Sequence, residues 1–117
     1  MLTVRHLLDE KKGRALRAIA PEAPVLDAIR LMAEHHVGAL VVMQQEELLG
    51  IVSERDYARK VILLGRSSAH TAVREIMTSP VITVSPLSTL DECMREVTQH
   101  RVRYLPVMEN GRVVGVV

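Results

Sequence analysis

The chain has 117 residues, enough for one compact domain or for two small halves sharing a core. Apolar residues make up 48%, which excludes a disordered chain, and charged residues make up an ordinary 25%. Lys and Arg number 15 against 14 Asp and Glu, so a formal charge of +1 gives no general attraction for nucleic acid or an anionic membrane.

The chain opens on T-V-R-H-L-L (Thr3–Leu8), a short lead-in turn of helix. A loop over Asp9–Ala15 follows. Arg5, Lys11, Lys12, Arg14 and Arg17 make this stretch basic, either as a solvated loop or as a contact for ligand phosphates. A short strand is expected at Leu16–Ile19. A helix is expected at Pro24–His36, where Val25, Ile29, Met32 and His36 share one face.

Ala39–Met43 and Leu48–Val52 are apolar runs separated by Q-Q-E-E and read as a hairpin. A second helix, Glu54–Leu64, carries Tyr57, Val61 and Leu64 on one face and stops at Gly65. Gly65–Pro80 is a linker containing a second lead-in helix. Val81–Val84 is then an apolar, β-branched strand broken only by Thr83. The helix over Ser88–Arg101 carries Leu90, Cys93, Met94 and Val97 on one face, with Ser88 as N-cap and Asp91 as the acidic half of a capping box. A last hairpin pairs Tyr104–Met108 with Arg112–Val117 across E-N-G, a strong turn signal.

These elements are one unit written twice. Shifted by 65 positions, residues 21–52 fall on 86–117 without a gap: Pro21 on Pro86, Arg30 on Arg95, His35 on His100, Leu40 on Leu105, Gly50 on Gly115. Thr3–Leu8 resembles Ala72–Met77 (A-V-R-E-I-M) in the same way. Each copy is β-α-β-β-α, and the sequence stops at Val117 before a last helix of the second. The expected fold class is therefore α/β (α+β), two such repeats packed about a pseudo-twofold. The expected division is a first repeat with its lead-in at 1–65, a linker at 66–80 and a second repeat at 81–117. Neither small unit buries its sheet face alone.

Ser53 and Asp56 stand where a strand turns into a helix. The free N–H groups and positive dipole end of such a turn suit an anion, and Asp56 suits a vicinal diol. The same S-x-x-D pattern is also an ordinary capping box. Gly38 opens a strand, either for turn geometry or to leave room for a flat ring. Its counterpart Arg103 is either a solvated strand edge or a phosphate contact.

The order of elements, H-R-V-R-Y-L-P-V (His100–Val107) and G-I-V-S-E-R-D (Gly50–Asp56) resemble cystathionine β-synthase (CBS) domains, two of which in tandem form a Bateman module. The resemblance runs from about Thr3 to Val117, and the chain is most similar to small stand-alone bacterial pairs. It implies a regulatory module that binds AMP, ADP or ATP, or else NAD or S-adenosylmethionine, in clefts between the copies. It implies that Asp56 holds ribose hydroxyls and that Ser53 lies near the phosphates. Ile51, Val37, Gly38 and Ala39 line the base, Arg103 and Tyr104 hold the matching positions of the second copy, and Arg55 is a further candidate. It also implies a homodimer, a regulated protein partner, and a second site without its own ribose and phosphate groups.

No Trp or Phe and only Tyr57 and Tyr104 occur, so no aromatic platform for single-stranded nucleic acid can be built. His35, His36 and His100 lack the partners of a metal site, and His35 and His100 suit helix C-terminal dipoles instead. Cys93 replaces Ala28 on a core-facing helix side and reads as a buried, inert thiol; alone, it forms no internal disulfide, which suits a reducing, cytoplasmic setting. The six methionines read as core filler. No signal peptide or membrane span is expected. A P-loop, G-x-G-x-x-G and any nucleophile–base pair are missing, so no catalysis, metal or obligatory cofactor is expected. An oligomerisation scaffold with vestigial clefts is the alternative function, and an enzyme of small adenylated metabolites a third.

Overall fold

The computed structural model describes residues 1–10 and 16–117. Lys11, Lys12 and Arg14 of the basic stretch, and most of the loop expected at Asp9–Ala15, lie outside the described residues. The chain forms two compact units, one of residues 17–80 and one of residues 1–16 with 81–117.

In the 17–80 unit, strand β1 (Ala18–Ile19) pairs in parallel with β2 (Ala39–Gln44), which pairs antiparallel with β3 (Glu47–Ser53). Helix α2 (Val25–His35) joins β1 to β2. Its apolar residues recur at helical spacing, so Val25, Ala28 and Met32 face inward with Leu40, Val42, Val52, Val61, Val73 and Ile76. His36 ends it in the left-handed region at φ 55°, and His35 stands in its last turn beside the negative end of the dipole.

Helix α3 begins as one α-turn (Glu54–Tyr57) and widens into a π-turn (Ala58–Ile62), closed by Leu63 N–H donating to the Ala58 carbonyl at 3.0 Å. This widening ends the helix at Ile62. It leaves Leu64 66% exposed, where a regular helix would have kept it on the face of Tyr57 and Val61. Gly65, at φ 66°, supplies the expected stop. The linker folds back as a 3₁₀ turn (Val73–Glu75), and Thr78 pairs with Ile51 at the free edge of β3.

In the other unit, α1 (Val4–Glu10) joins α4 (Leu90–His100) and the hairpin β4 (Pro106–Glu109) and β5 (Arg112–Val116). Asn110 and Gly111, at φ 53° and 77°, make the expected tight turn. Val4, Val84, Cys93, Leu105 and Val107 form the core. The strand expected at Val81–Val84 shrinks to Val84 alone, bridged to Val107. Pro106 is the reason. Its counterpart Val41 donates an N–H to the Arg17 carbonyl at 3.3 Å, and proline has none to give.

Other expectations shift. The cap of α4 is Thr89, whose hydroxyl accepts from Glu92 N–H at 3.1 Å; Ser88 instead accepts from Ser85 N–H in the turn before it. Met94 is 63% and Met1 98% exposed, so neither is core filler, and Met32 is.

The units divide the chain differently from the 1–65, 66–80 and 81–117 read from the repeat. The first lead-in docks with residues 81–117: Val4 N–H donates to Ser88 O at 2.8 Å and Arg5 N–H to Pro86 O at 2.9 Å. The second docks with the first repeat in the same way, Val73 N–H to Ala23 O at 2.8 Å and Arg74 N–H to Pro21 O at 2.9 Å. Each repeat carries the lead-in that precedes the other.

Candidate functional site

The sequence singled out the corner where β3 becomes α3. Ser53, the last residue of β3, is still extended (φ −130°, ψ 166°), and from there its side chain caps the helix that starts at Glu54. Ser53 Oγ accepts from Asp56 N–H at 3.2 Å, and Asp56 Oδ2 accepts from Ser53 N–H at 3.0 Å and from the Ser53 hydroxyl at 3.1 Å. Both halves of the capping box are closed. Glu54 N–H donates to the Gly38 carbonyl at 3.0 Å. The N–H groups of Ser53, Glu54 and Asp56 are therefore bonded within the chain, where the sequence had suggested free donors for an anion.

Asp56 is 9% exposed, a position for a carboxylate that requires partners. Its Oδ1 takes one the sequence reading missed: Lys60 Nζ, 3.1 Å away. The signal was present as an acidic residue four positions before a lysine on a helix. The same ammonium donates to the Ile76 carbonyl at 2.9 Å.

The ladder brings the other candidates alongside. Ala39 pairs with Ser53 and Val41 with Ile51, so Val37, Gly38 and Ala39 lie beside the corner. Val37 and Ala39 are half-buried, and Val37 packs on the core of α2 and the sheet. The left-handed residue leading into β2 is His36. Ile51 is buried, hydrogen-bonded on its outer edge to Thr78 in both directions, at 3.1 and 2.8 Å. Arg55 is half-buried on the first turn of α3.

Arg103 and Tyr104 belong to the other unit, directly before the buried Leu105. Arg103 is exposed and Tyr104 half-buried. In that unit Leu105 and Val117 exchange two backbone bonds, 2.8 and 3.0 Å, as the counterparts of Leu40 and Val52.

Among the described residues, no group of three or more His, Cys, Asp or Glu is placed to hold a metal ion. No helix among them is long and apolar enough to cross a membrane. Burial pushes the Cys93 thiol up, and Glu92 and Glu96 add to it.

A family model for the CBS domain matches residues 14–63 and again residues 73–117. The mitochondrial CBS domain-containing protein CBSX3 of Arabidopsis thaliana is 44% identical over 98 residues, which are 80% of this chain and 48% of that one. The chain thus spans about half the length of that relative. A solved structure of a protein with CBS domains from Burkholderia ambifaria matches with a TM-score of 0.93 at 46% identity, over 98% of this chain and 86% of that one. A CBS domain protein from Pyrobaculum aerophilum, solved in complex with AMP, shares the fold at a TM-score of 0.86 and 22% identity, over 99% and 86% of the two chains.

Proposed function

The chain belongs to the CBS domain family as a tandem pair, and on that premise we propose that it is a regulatory module binding an adenine nucleotide at the β3–α3 corner. Asp56 carries the reading. A buried carboxylate at the head of a helix, with one oxygen saturated by Ser53 and the other shared with a single lysine, retains acceptor capacity for a ribose diol. Half-buried Val37 and Ala39, with Gly38 between them, offer an aliphatic wall to a base beside it.

AMP, ADP and ATP are the ligands this geometry suits first, with NAD and S-adenosylmethionine sharing the same adenosine group. That the Pyrobaculum protein of the same fold binds AMP supports the class. Ser53, Arg55 and Ile51 are the further residues of this unit proposed to touch the ligand, and Arg103 and Tyr104 hold the matching positions in the other unit. Binding regulates a homodimer or a protein partner only through different affinities for two states.

Calorimetric titration with AMP, ATP, NAD and S-adenosylmethionine tests this on the parent chain and on Asp56→Asn. Saturable binding to the parent, lost in an Asp56→Asn variant that still folds, is the expected outcome. A folded parent that binds none of the four refutes it and leaves the oligomerisation scaffold.

A further inference from the structure

The corner is tied to a second segment through one side chain. Lys60 Nζ donates both to Asp56 Oδ1 at 3.1 Å and to the Ile76 carbonyl at 2.9 Å. Ile76 caps the 3₁₀ turn Val73–Glu75 and is wholly buried. Two residues on, Thr78 exchanges two backbone bonds with Ile51, and β3 leads from Ile51 to Ser53. The connections form a closed circuit: Ser53 to Asp56, to Lys60, to Ile76, to Thr78, to Ile51, and back to Ser53.

We propose that Lys60 is the positioning residue of the Asp56 site and couples its occupancy to the Val73–Thr78 segment; this rests on the nucleotide reading above. Asp56 Oδ2 already accepts two hydrogen bonds from Ser53, so Oδ1 is the oxygen a diol engages. A hydroxyl donating there shares the oxygen with Lys60 and weakens or redirects that bond. An ammonium has three donors, of which Asp56 and Ile76 take two, and the third suits a ligand oxygen. Any movement of Nζ is felt at the Ile76 carbonyl, a hydrogen bond made by a charged donor and so stronger than a neutral one.

The helix geometry supports the assignment independently. Lys60 sits inside the π-turn Ala58–Ile62, and such widenings concentrate at functional positions. The side chain of Lys60 is 42% exposed, so a ligand can reach it.

AMP and ATP are titrated into the parent, Lys60→Met, Lys60→Arg and Asp56→Asn, while the amide resonances of Met77 and Thr78 are followed by NMR. Lys60→Met is expected to weaken binding about tenfold and to abolish the ligand-induced shift at Thr78, and Lys60→Arg to keep binding within about threefold, the range of one charge-assisted hydrogen bond. A merely structural lysine would lower the thermal midpoint without removing the Thr78 response. Parent-like affinity in Lys60→Met, or a Thr78 shift that persists there, overturns the proposal while binding lost in Asp56→Asn keeps the nucleotide site. If neither nucleotide binds the folded parent, both fall together.

Discussion

Residues 17–80 and the unit of residues 1–16 with 81–117 repeat one design down to single backbone bonds. Helix α2 ends on left-handed His36 and α4 on left-handed Arg101, 65 positions later. Both hairpins slip register at the same step, Val42/Met43 and Val107/Met108. The lead-ins dock through the same pairs of bonds. The differences are few and each has a chemical cause. Pro106 removes a strand partner that Val41 supplies. In residues 17–80 the hairpin runs into a capped helix, and with it come Ser53, Asp56 and Lys60. The backbone plan is set by features both copies keep.

The largest test of that contrast lies in the cores. Leu40 and Leu105 are equivalent and each 1% exposed. Leu40 belongs to a core that also holds Val25, Met32, Val52 and Ile76, with a rim that includes Ile29 and Tyr57. Leu105 has Val4, Val84, Cys93 and Val107, with a rim of Leu8, Ile82, Val97, Val102 and Val117. Leu40→Ala is expected to cost about 4 kcal/mol and Leu105→Ala about 2–3 kcal/mol, the range set by how far a site can collapse. Denaturant midpoints measure both, and equal costs would mean the two cores are equally rigid.

The sequence carried the repeat, the helices and the hairpins because each rests on local periodicity and turn chemistry. Asn110-Gly111 and the apolar spacing of α2 needed no tertiary information. What escaped it was set by partners distant in the chain. The strand at Val81–Val84 reads as a strand, and only the pairing to a proline shortens it. The lead-ins read as belonging to the repeat they precede, and nothing local says that each docks on the other. Leu64 and Met94 fit helical faces, but a π-turn and a thin core leave them exposed. At the site, Ser53 and Asp56 were legible as a motif. Lys60 was legible only as an i, i+4 partner of Asp56, and its second bond, to the Ile76 carbonyl, depends on a segment distant in the chain.

The paired glycines sharpen the comparison at a smaller scale. A Cβ on Gly50 would meet Met77 Sδ at 2.8 Å and the Thr78 carbonyl at 2.9 Å, the second being backbone held by the Ile51 N–H. A Cβ on Gly115 would meet Leu8 Cδ2 at 2.6 Å, the far end of a side chain that can turn away. Gly50→Ala is therefore expected to cost about 2–3 kcal/mol and Gly115→Ala about 1 kcal/mol or less. Thermal melts of the two variants should separate clearly. A reversed order would place the tighter notch in the second copy.

Helix caps separate the units by less. Thr89 caps α4 with its hydroxyl, and its counterpart Pro24 makes no side-chain cap bond to α2. Thr89→Ala should cost about 1 kcal/mol, read as a shift in denaturant midpoint. Pro24→Ala removes no such bond, and a loss as large there would show that the proline's fixed φ, not the cap, governs the start of these helices.

The smallest expected effect is a pH dependence at the lead-ins. In the second lead-in, Glu75 accepts from Ala72 N–H at 2.7 Å and from Arg66 at 2.6 Å. In the first, the equivalent acceptor is His6 Nδ1, 3.1 Å from Thr3 N. The Ala72 bond, then the Arg66 bond, holds the Glu75 carboxyl below the usual carboxylate range. A carboxyl lowered on folding adds stability above its unfolded value and loses it as pH falls through the folded one. The loss therefore begins as pH drops into the ordinary glutamate range and is complete only below the lowered value. Glu75 is solvent-screened, so the contribution is small. In Glu75→Gln the acid limb of the stability curve should flatten, with little change near neutral pH. Parent and variant curves that run parallel through that acid window would show that the carboxylate adds nothing there, and that the two lead-ins dock alike despite their different caps.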